Sequence, residues 1–203
     1  DSKDMSKTGV LILAAGKSRR MGSDKRALPW GTSTLLESAI ELCHSASLPC
    51  CVALSSEPAD DHWEAHLRDQ NCTVLRVATA DSGMGDTLAH CIDHIPPHWE
   101  HLIIHLCDMP LITKETLQSL DQALQTAHIV IPTFSEKWGN PRGFNRSLWP
   151  QLRSLTGDQG ARDIIRTSGS RVTTIEVDNA GILTDLDEPE IYRFWYQIDQ
   201  TQL

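Results

Sequence analysis

The sequence predicts an α/β sandwich built around a mainly parallel sheet. Three observations predict it. Short apolar runs recur at regular intervals, helix-like stretches separate nearly all of them, and 203 residues of which 40% are hydrophobic suffice for one sizeable core.

The first run, Val10-Leu11-Ile12-Leu13, is continuous rather than alternating, as expected of a strand buried on both faces, and it ends in Ala14-Ala15-Gly16. It reads as the first and central strand. A polar loop through Lys25 leads to a helix over 34–45, where Leu35, Leu36, Ala39, Ile40, Leu42 and Cys43 recur near helical spacing and Thr32 or Ser33 offers an N-cap. Further strands are predicted over 51–54, 74–77, 102–106, 129–131 and 172–177, several of them rich in β-branched residues. Helices are predicted over 59–69, 87–94, 113–127, 145–155, 161–168 and 188–198. Segment 134–144 breaks the alternation with Lys137-Trp138-Gly139-Asn140-Pro141-Arg142-Gly143 and reads as an irregular loop beside a strand end, where open α/β sheets place ligand contacts.

Eighteen basic against 27 acidic residues give a formal charge of −9, which disfavours nucleic acid or an anionic membrane as the main partner while leaving room for a local phosphate site. Six cysteines without CxxC spacing read as reduced thiols. No apolar stretch approaches a membrane span, and the first ten residues lack a signal-peptide layout, so a soluble, cytoplasmic protein is expected. Residues 1–8 are expected to be a flexible leader or cloning remnant, with Met5 the natural start, and 9–203 a single domain.

The most informative stretch, Leu13 to Lys25, directly follows the first strand. Gly16 and Gly22 let backbone N–H groups approach an anion, while Lys17, Arg19, Arg20 and Lys25 concentrate positive charge. The spacing fits neither GxxxxGKS/T nor GxGxxG, and a solvated basic loop is the alternative. Asp108 in Leu106-Cys107-Asp108-Met109-Pro110 follows a predicted buried strand, a position suited to a hard cation such as Mg²⁺, although a turn or capping aspartate before Leu111-Ile112-Thr113 reads equally well. Asp185 and Asp187, two apart, face one way if extended; Asp185 is the better metal ligand because Asp187 suits an N-cap before Glu188-Pro189-Glu190.

These three segments resemble the LxAGxSxRMGxxK, Asp-Met-Pro and DxDxPE signatures of the MobA-like nucleotidyltransferases, in the family's order, and most nearly those of its molybdenum-cofactor cytidylyltransferases. The resemblance implies a Rossmann-like three-layer sandwich of the nucleotide-diphospho-sugar transferase type. It further implies Mg²⁺-dependent transfer of CMP from CTP to the phosphate of molybdopterin or molybdenum cofactor, with release of pyrophosphate. Arg19, Lys25 and Asp108 would be catalytic, with Asp108 and Asp185 on the metal. Leu13, Ala14, Ala15, Gly16, Ser18, Arg19 and Lys25 would bind nucleotide, joined by Gly83, Met84 and Thr87 of an element similar to EGMxxSL, in which Asp86 is a departure. Asn140, Pro141, Asp158, Gly160 and Arg162 would face the acceptor, by similarity to the GHP and GDxGAR elements, with Asn140 in place of the histidine; Trp138, in the irregular loop, reads either as stacking on the acceptor or as loop packing.

Ala14-Ala15-Gly16 resembles the cytidylyltransferase form of the loop, and the Ala15 methyl would favour a pyrimidine modestly. A transferase using GTP or a different phosphorylated acceptor is the nearest alternative. A non-catalytic cofactor carrier serving a molybdenum hydroxylase client is the second. The pairs His62/His66 and His90/His94 have helical spacing but no third metal ligand, and His105 and Cys107 read as packing residues.

Overall fold

The computed structural model describes residues 6–15, 24–78, 83–186 and 189–201. Strand β1 (Thr8–Leu13) is central, as predicted: it pairs in parallel with β4 (Cys50–Ser55) on one side and β6 (His101–Leu106) on the other. Between β1 and β4 come a short antiparallel hairpin, β2 (Pro29–Trp30) and β3 (Ser33–Thr34), and helix α1 (Leu35–Ser45). The cap of α1 is Thr34 rather than Thr32 or Ser33, its Oγ1 accepting from Glu37 N at 3.2 Å. Then follow α2 (Asp61–Leu67), β5 (Thr73–Val77), α3 (Met84–Ile92), α4 (Lys114–Leu124), β7 (Ile129–Phe134), β8 (Lys137–Trp138), β9 (Arg142–Asn145), α5 (Trp149–Arg153), α6 (Ala161–Ser168), β10 (Val172–Glu176) and α7 (Pro189–Thr201).

The sheet order is β10-β7-β9-β6-β1-β4-β5, with β8 paired to β7. From β1 the chain steps outward through β4 to β5, then returns across the sheet to β6. The direction of winding therefore reverses between β1 and β6, and the crevice beyond their C-terminal ends is where a sheet of this kind receives ligands.

Alternation along the strands separates two cores. Val10, Ile12, Val52, Leu54 and Ile103 face one layer with α1 and α4, whereas Leu11, Cys51, Ala53, Leu102 and Ile104 face the other with α3, α5 and α6. Segment 134–144 departs from the prediction. It contains no long irregular loop: β8 turns back on β7, and β9 enters the sheet antiparallel to both β6 and β7. The predicted helix over 145–155 shrinks to α5 because Asn145 ends β9 and caps a 3-10 turn over Arg146–Leu148. Helix α3 starts at Met84, three residues before the predicted start. Among the described residues, no helix is long and apolar enough to cross a membrane.

Candidate active site

The β1 and β6 ends meet in register, Leu13 opposite Leu106, and Cys107 N donates to Leu13 O at 3.4 Å. Ala14 and Ala15 are buried just beyond β1. Asp108 emerges two residues past the end of β6, and Lys25 Nζ lies 3.0 Å from its Oδ2, each side chain about one-fifth exposed (20% and 17%). A lysine and an aspartate 83 residues apart in sequence thus converge at the strand ends. Gly16, Ser18 and Arg19 lie outside the described residues, as does Asp187.

Asp185 reaches the same region through the backbone. Leu186 N donates to Asp108 O at 2.9 Å, so the exposed Asp185 precedes a fully buried leucine anchored two residues past the end of β6. Asn179 holds the approach. Its Oδ1 accepts from Thr113 N at 3.0 Å and Thr116 Oγ1 at 2.9 Å, and its Nδ2 donates to Leu111 O at 2.9 Å. This nearly buried amide joins the segment after Asp108 to the turn that leads to Asp185.

Sequence reasoning missed the anchor of Lys25. Its neighbour Arg26 donates to Ala14 O at 2.7 Å, to both Asp60 oxygens at 2.9 and 2.7 Å, and to both Asp24 oxygens at 2.8 and 3.1 Å. Trp63 Nε1 also donates to Asp24, and Asp60 accepts from Ser55 N at 2.8 Å. Burial alone would depress the Arg26 guanidinium, but Asp60 and Asp24 outweigh it and raise it. Burial likewise pushes Asp24 up, while bonds from Arg26 and Trp63 prevail and hold it below the usual range. The bidentate pairing of Arg26 with Asp60, both sequestered, fastens the return of the loop to the ends of β1 and β4. The sequence analysis singled out Lys17, Arg19, Arg20 and Lys25 but not Arg26, whose partner Asp60 lies 34 residues away.

A cavity of about 520 Å³ opens next to Leu106, two residues before Asp108. It brings together Met84 from the expected nucleotide-binding element and Asn140, Asp158, Gly160 and Arg162 from the expected acceptor elements. Leu88 and Ile104 add apolar lining, and Arg142, not singled out by the sequence, adds a second guanidinium. Trp138 and Pro141 are not among the lining residues; Trp138 stands on β8, 51% exposed. Thr87 is buried, with Oγ1 donating to Gly83 O at 3.2 Å. Gly83, at φ +116°, has room for no Cβ: one would stand 2.3 Å from Gly157 O and 2.5 Å from Asp158 Oδ1.

His105 is fully buried behind the β6 end, and burial pushes it down to about 4, so it is neutral at physiological pH. Burial also raises Cys107 to about 12, which makes it a packing thiol rather than a nucleophile. Among the described residues, no cluster of three or more His, Cys, Asp or Glu is poised around a metal. The donor chemistry at the β6 end nevertheless suits a hard divalent cation, which takes one or two carboxylates and completes its shell with substrate phosphate oxygens and water.

A family model described as the MobA-like NTP transferase domain matches residues 10–172. The chain belongs to the MobA-like NTP transferase family. This MobA-like protein is a nucleotidyltransferase with the nucleotide-diphospho-sugar transferase fold. It is 27% identical over 199 residues to the purine catabolism protein PucB of Bacillus subtilis (strain 168), across 90% of this chain and 92% of that one. It is 22% identical over 189 residues to the molybdenum cofactor cytidylyltransferase of Escherichia coli (strain K12), across 92% and 94% of the two chains. Its fold matches that of Rv0371C from Mycobacterium tuberculosis H37Rv, solved as a manganese complex, with a TM-score of 0.80 at 21% identity over 95% of this chain and 99% of that one.

Proposed function

We propose that this MobA-like transferase moves CMP from CTP to the terminal phosphate of molybdopterin or molybdenum cofactor in the cytoplasm, releasing pyrophosphate. The observation that carries the reading is the 3.0 Å approach of Lys25 Nζ to Asp108 at the β1/β6 switch point, with a cavity holding two guanidiniums next to Leu106. The E. coli relative's name supports the nucleotide and the acceptor, and the manganese complex of the M. tuberculosis protein supports a divalent metal.

An oxygen of the acceptor phosphate attacks the α-phosphorus of CTP, forming one P–O bond as the bond to pyrophosphate breaks in line. Lys25 pairs with the phosphate oxygens on which charge accumulates, and Arg19 holds the β- and γ-phosphates. Leu13 to Gly16 and Ser18 flank base and phosphates, with Gly83, Met84 and Thr87 at the start of α3. Asn140, Asp158, Gly160 and Arg162 position the acceptor. Asp108 and Asp185 would hold Mg²⁺, which when bound neutralises charge on both reacting phosphates. The chain's own contribution is placement and electrostatic stabilisation, with no covalent enzyme intermediate.

The test is pyrophosphate release from purified protein with Mg²⁺ and molybdopterin, comparing CTP, GTP, ATP and UTP, with an Asp108→Asn control. CTP-selective release that disappears in D108N is the expected result. Release led by GTP would overturn the base, and release only with another phosphorylated acceptor would overturn molybdopterin. Co-purification of a molybdenum hydroxylase client with a protein inactive on every nucleotide would replace catalysis by carriage.

A further inference from the structure

The half-buried guanidinium of Arg142 is an unexplained expense for the free protein, and the exposed Arg162 shares its cavity. Arg142 sits half-buried on β9, opposite Ile104 of β6, and its Nε donates to Gly139 O at 3.2 Å. Among the described residues, no carboxylate forms an ion pair with Arg142 or with Arg162, although Asp158 shares the lining. Burial, and secondarily the charge of Arg162, make it harder for Arg142 to stay protonated. Elsewhere in this protein a sequestered guanidinium is compensated: Arg26 has Asp60 and Asp24. A cation placed in a partly desolvated cavity without a counter-charge lowers stability unless a ligand supplies one.

We infer that Arg142 and Arg162 together form a seat for a dianionic phosphate monoester on the acceptor, and that Arg142 makes this charge a requirement. The planar guanidinium suits a phosphate because it presents parallel N–H donors. Met84, Leu88, Ile104 and Leu106 offer an apolar wall to the body that carries the phosphate. The inference rests on the reading of this cavity as the acceptor side of the transferase.

The experiment measures calorimetric binding of phenyl phosphate to the full chain in the presence of saturating CTP and Ca²⁺, with benzyl alcohol as the uncharged control. Saturable binding at about 1 mM or tighter is expected for the wild type, with none for benzyl alcohol. Arg142→Met and Arg162→Met should each weaken it about 10- to 100-fold, the range for one charge-assisted contact, and Arg142→Lys should recover only part. Arg142→Met should also unfold at the same temperature as the wild type or higher, which separates lost binding from lost folding. Arg153→Met, at an exposed ion pair with Asp93 outside the cavity lining, should leave phenyl phosphate affinity within about twofold. Equal binding by wild type and the Arg142 variant, no binding by the wild type, or an equal loss in Arg153→Met would each overturn the seat. Arg142-dependent binding in a protein that releases no pyrophosphate with molybdopterin would remove that acceptor and keep the seat; release with an unchanged acceptor KM in Arg142→Met would do the reverse.

Discussion

Asp86 Oδ2 accepts a hydrogen bond from Gly157 N at 3.1 Å, and Gly85 N donates to Gly157 O at 2.8 Å. The start of α3, expected to face the nucleotide, is therefore bolted to the loop before α6, expected to face the acceptor. Asp86, a departure from the family pattern, has its physical reason here: its charge is used on a backbone amide. Asp86→Ala should lower stability by about 1–3 kcal/mol, the cost of unpairing a partly buried amide, while Asp86→Asn should lose less because its amide oxygen still accepts. Gly83→Ala, which drives a Cβ against Gly157 O, should cost at least as much as Asp86→Ala. Urea midpoints of the three variants check the order; an Asp86→Ala midpoint equal to the wild type would remove the bolt.

The Arg26 clamp should be worth more than a surface ion pair, because both partners are sequestered. Asp60 is 4% exposed at its side chain and accepts from Arg26 and from Ser55 N, so Asp60→Ala strands a sequestered guanidinium and an amide together. The expected loss is about 3–5 kcal/mol, measured by chemical denaturation. Asp24 adds a pH dependence: its folded value lies below the ordinary 3.8, so its contribution is complete above 3.8 and disappears as the pH falls through the lower folded value. Asp24→Asn should flatten that acid limb.

Lys25 is a different case, because it meets Asp108 at the mouth of the crevice rather than inside a core. Lys25→Ala should reduce kcat by about 10²–10³, in the range for removing one preorganised donor, while shifting stability by about 1 kcal/mol or less. Steady-state kinetics beside thermal unfolding separate the two effects. Retained kcat would take Lys25 out of the mechanism.

The difference between these clamps explains what was legible beforehand. Val10–Leu13 and Leu102–Leu106 announced themselves because strands buried on both faces are almost continuously apolar, His105 being the one polar residue in these two runs. Lys25 and Asp108 followed from their places beside those strands and from family motifs. Strand β9 did not, because Arg142-Gly143-Phe144-Asn145 has no pattern of its own and becomes a strand only by pairing with β6 and β7. Arg26–Asp60 and Arg142–Arg162 were hidden for the same reason: each partnership joins residues whose distance in sequence says nothing of their distance in space.

His105 supplies a pH prediction of the opposite chemical type. Its folded value is about 4 against an ordinary 6.5, because burial disfavours the imidazolium, and its Nδ1 has no hydrogen-bond partner among the described residues. Above pH 6.5 both folded and unfolded chains hold it neutral. As the pH falls from 6.5 toward 4 the unfolded chain takes up a proton that the folded chain refuses, and stability declines by up to about 3 kcal/mol. His101, also depressed by burial, adds to the same slope. In His105→Leu the decline between pH 6.5 and 4 should be roughly halved or better. Parallel pH profiles for variant and wild type would show that His105 is already solvated.

Asn179 tests whether the approach of Asp185 to Asp108 is built or incidental. Its side chain satisfies Thr113 N, Thr116 Oγ1 and Leu111 O at once, and the turn it anchors ends in the Leu186 N to Asp108 O bond. Asn179→Ala leaves all three polar groups without that partner in a region closed to water, so stability should drop by about 2–4 kcal/mol. If the amide also sets the distance between the two carboxylates, turnover should fall further than the unfolded fraction explains, and raising the divalent cation concentration should restore part of it. Asn179→Asp keeps the acceptor oxygen but loses the donor to Leu111, and should fall between the wild type and Asn179→Ala in both measurements. Kinetics at several metal concentrations, taken well below each variant's unfolding temperature, decide the matter. A loss of stability with unchanged metal dependence would make Asn179 a fold residue only.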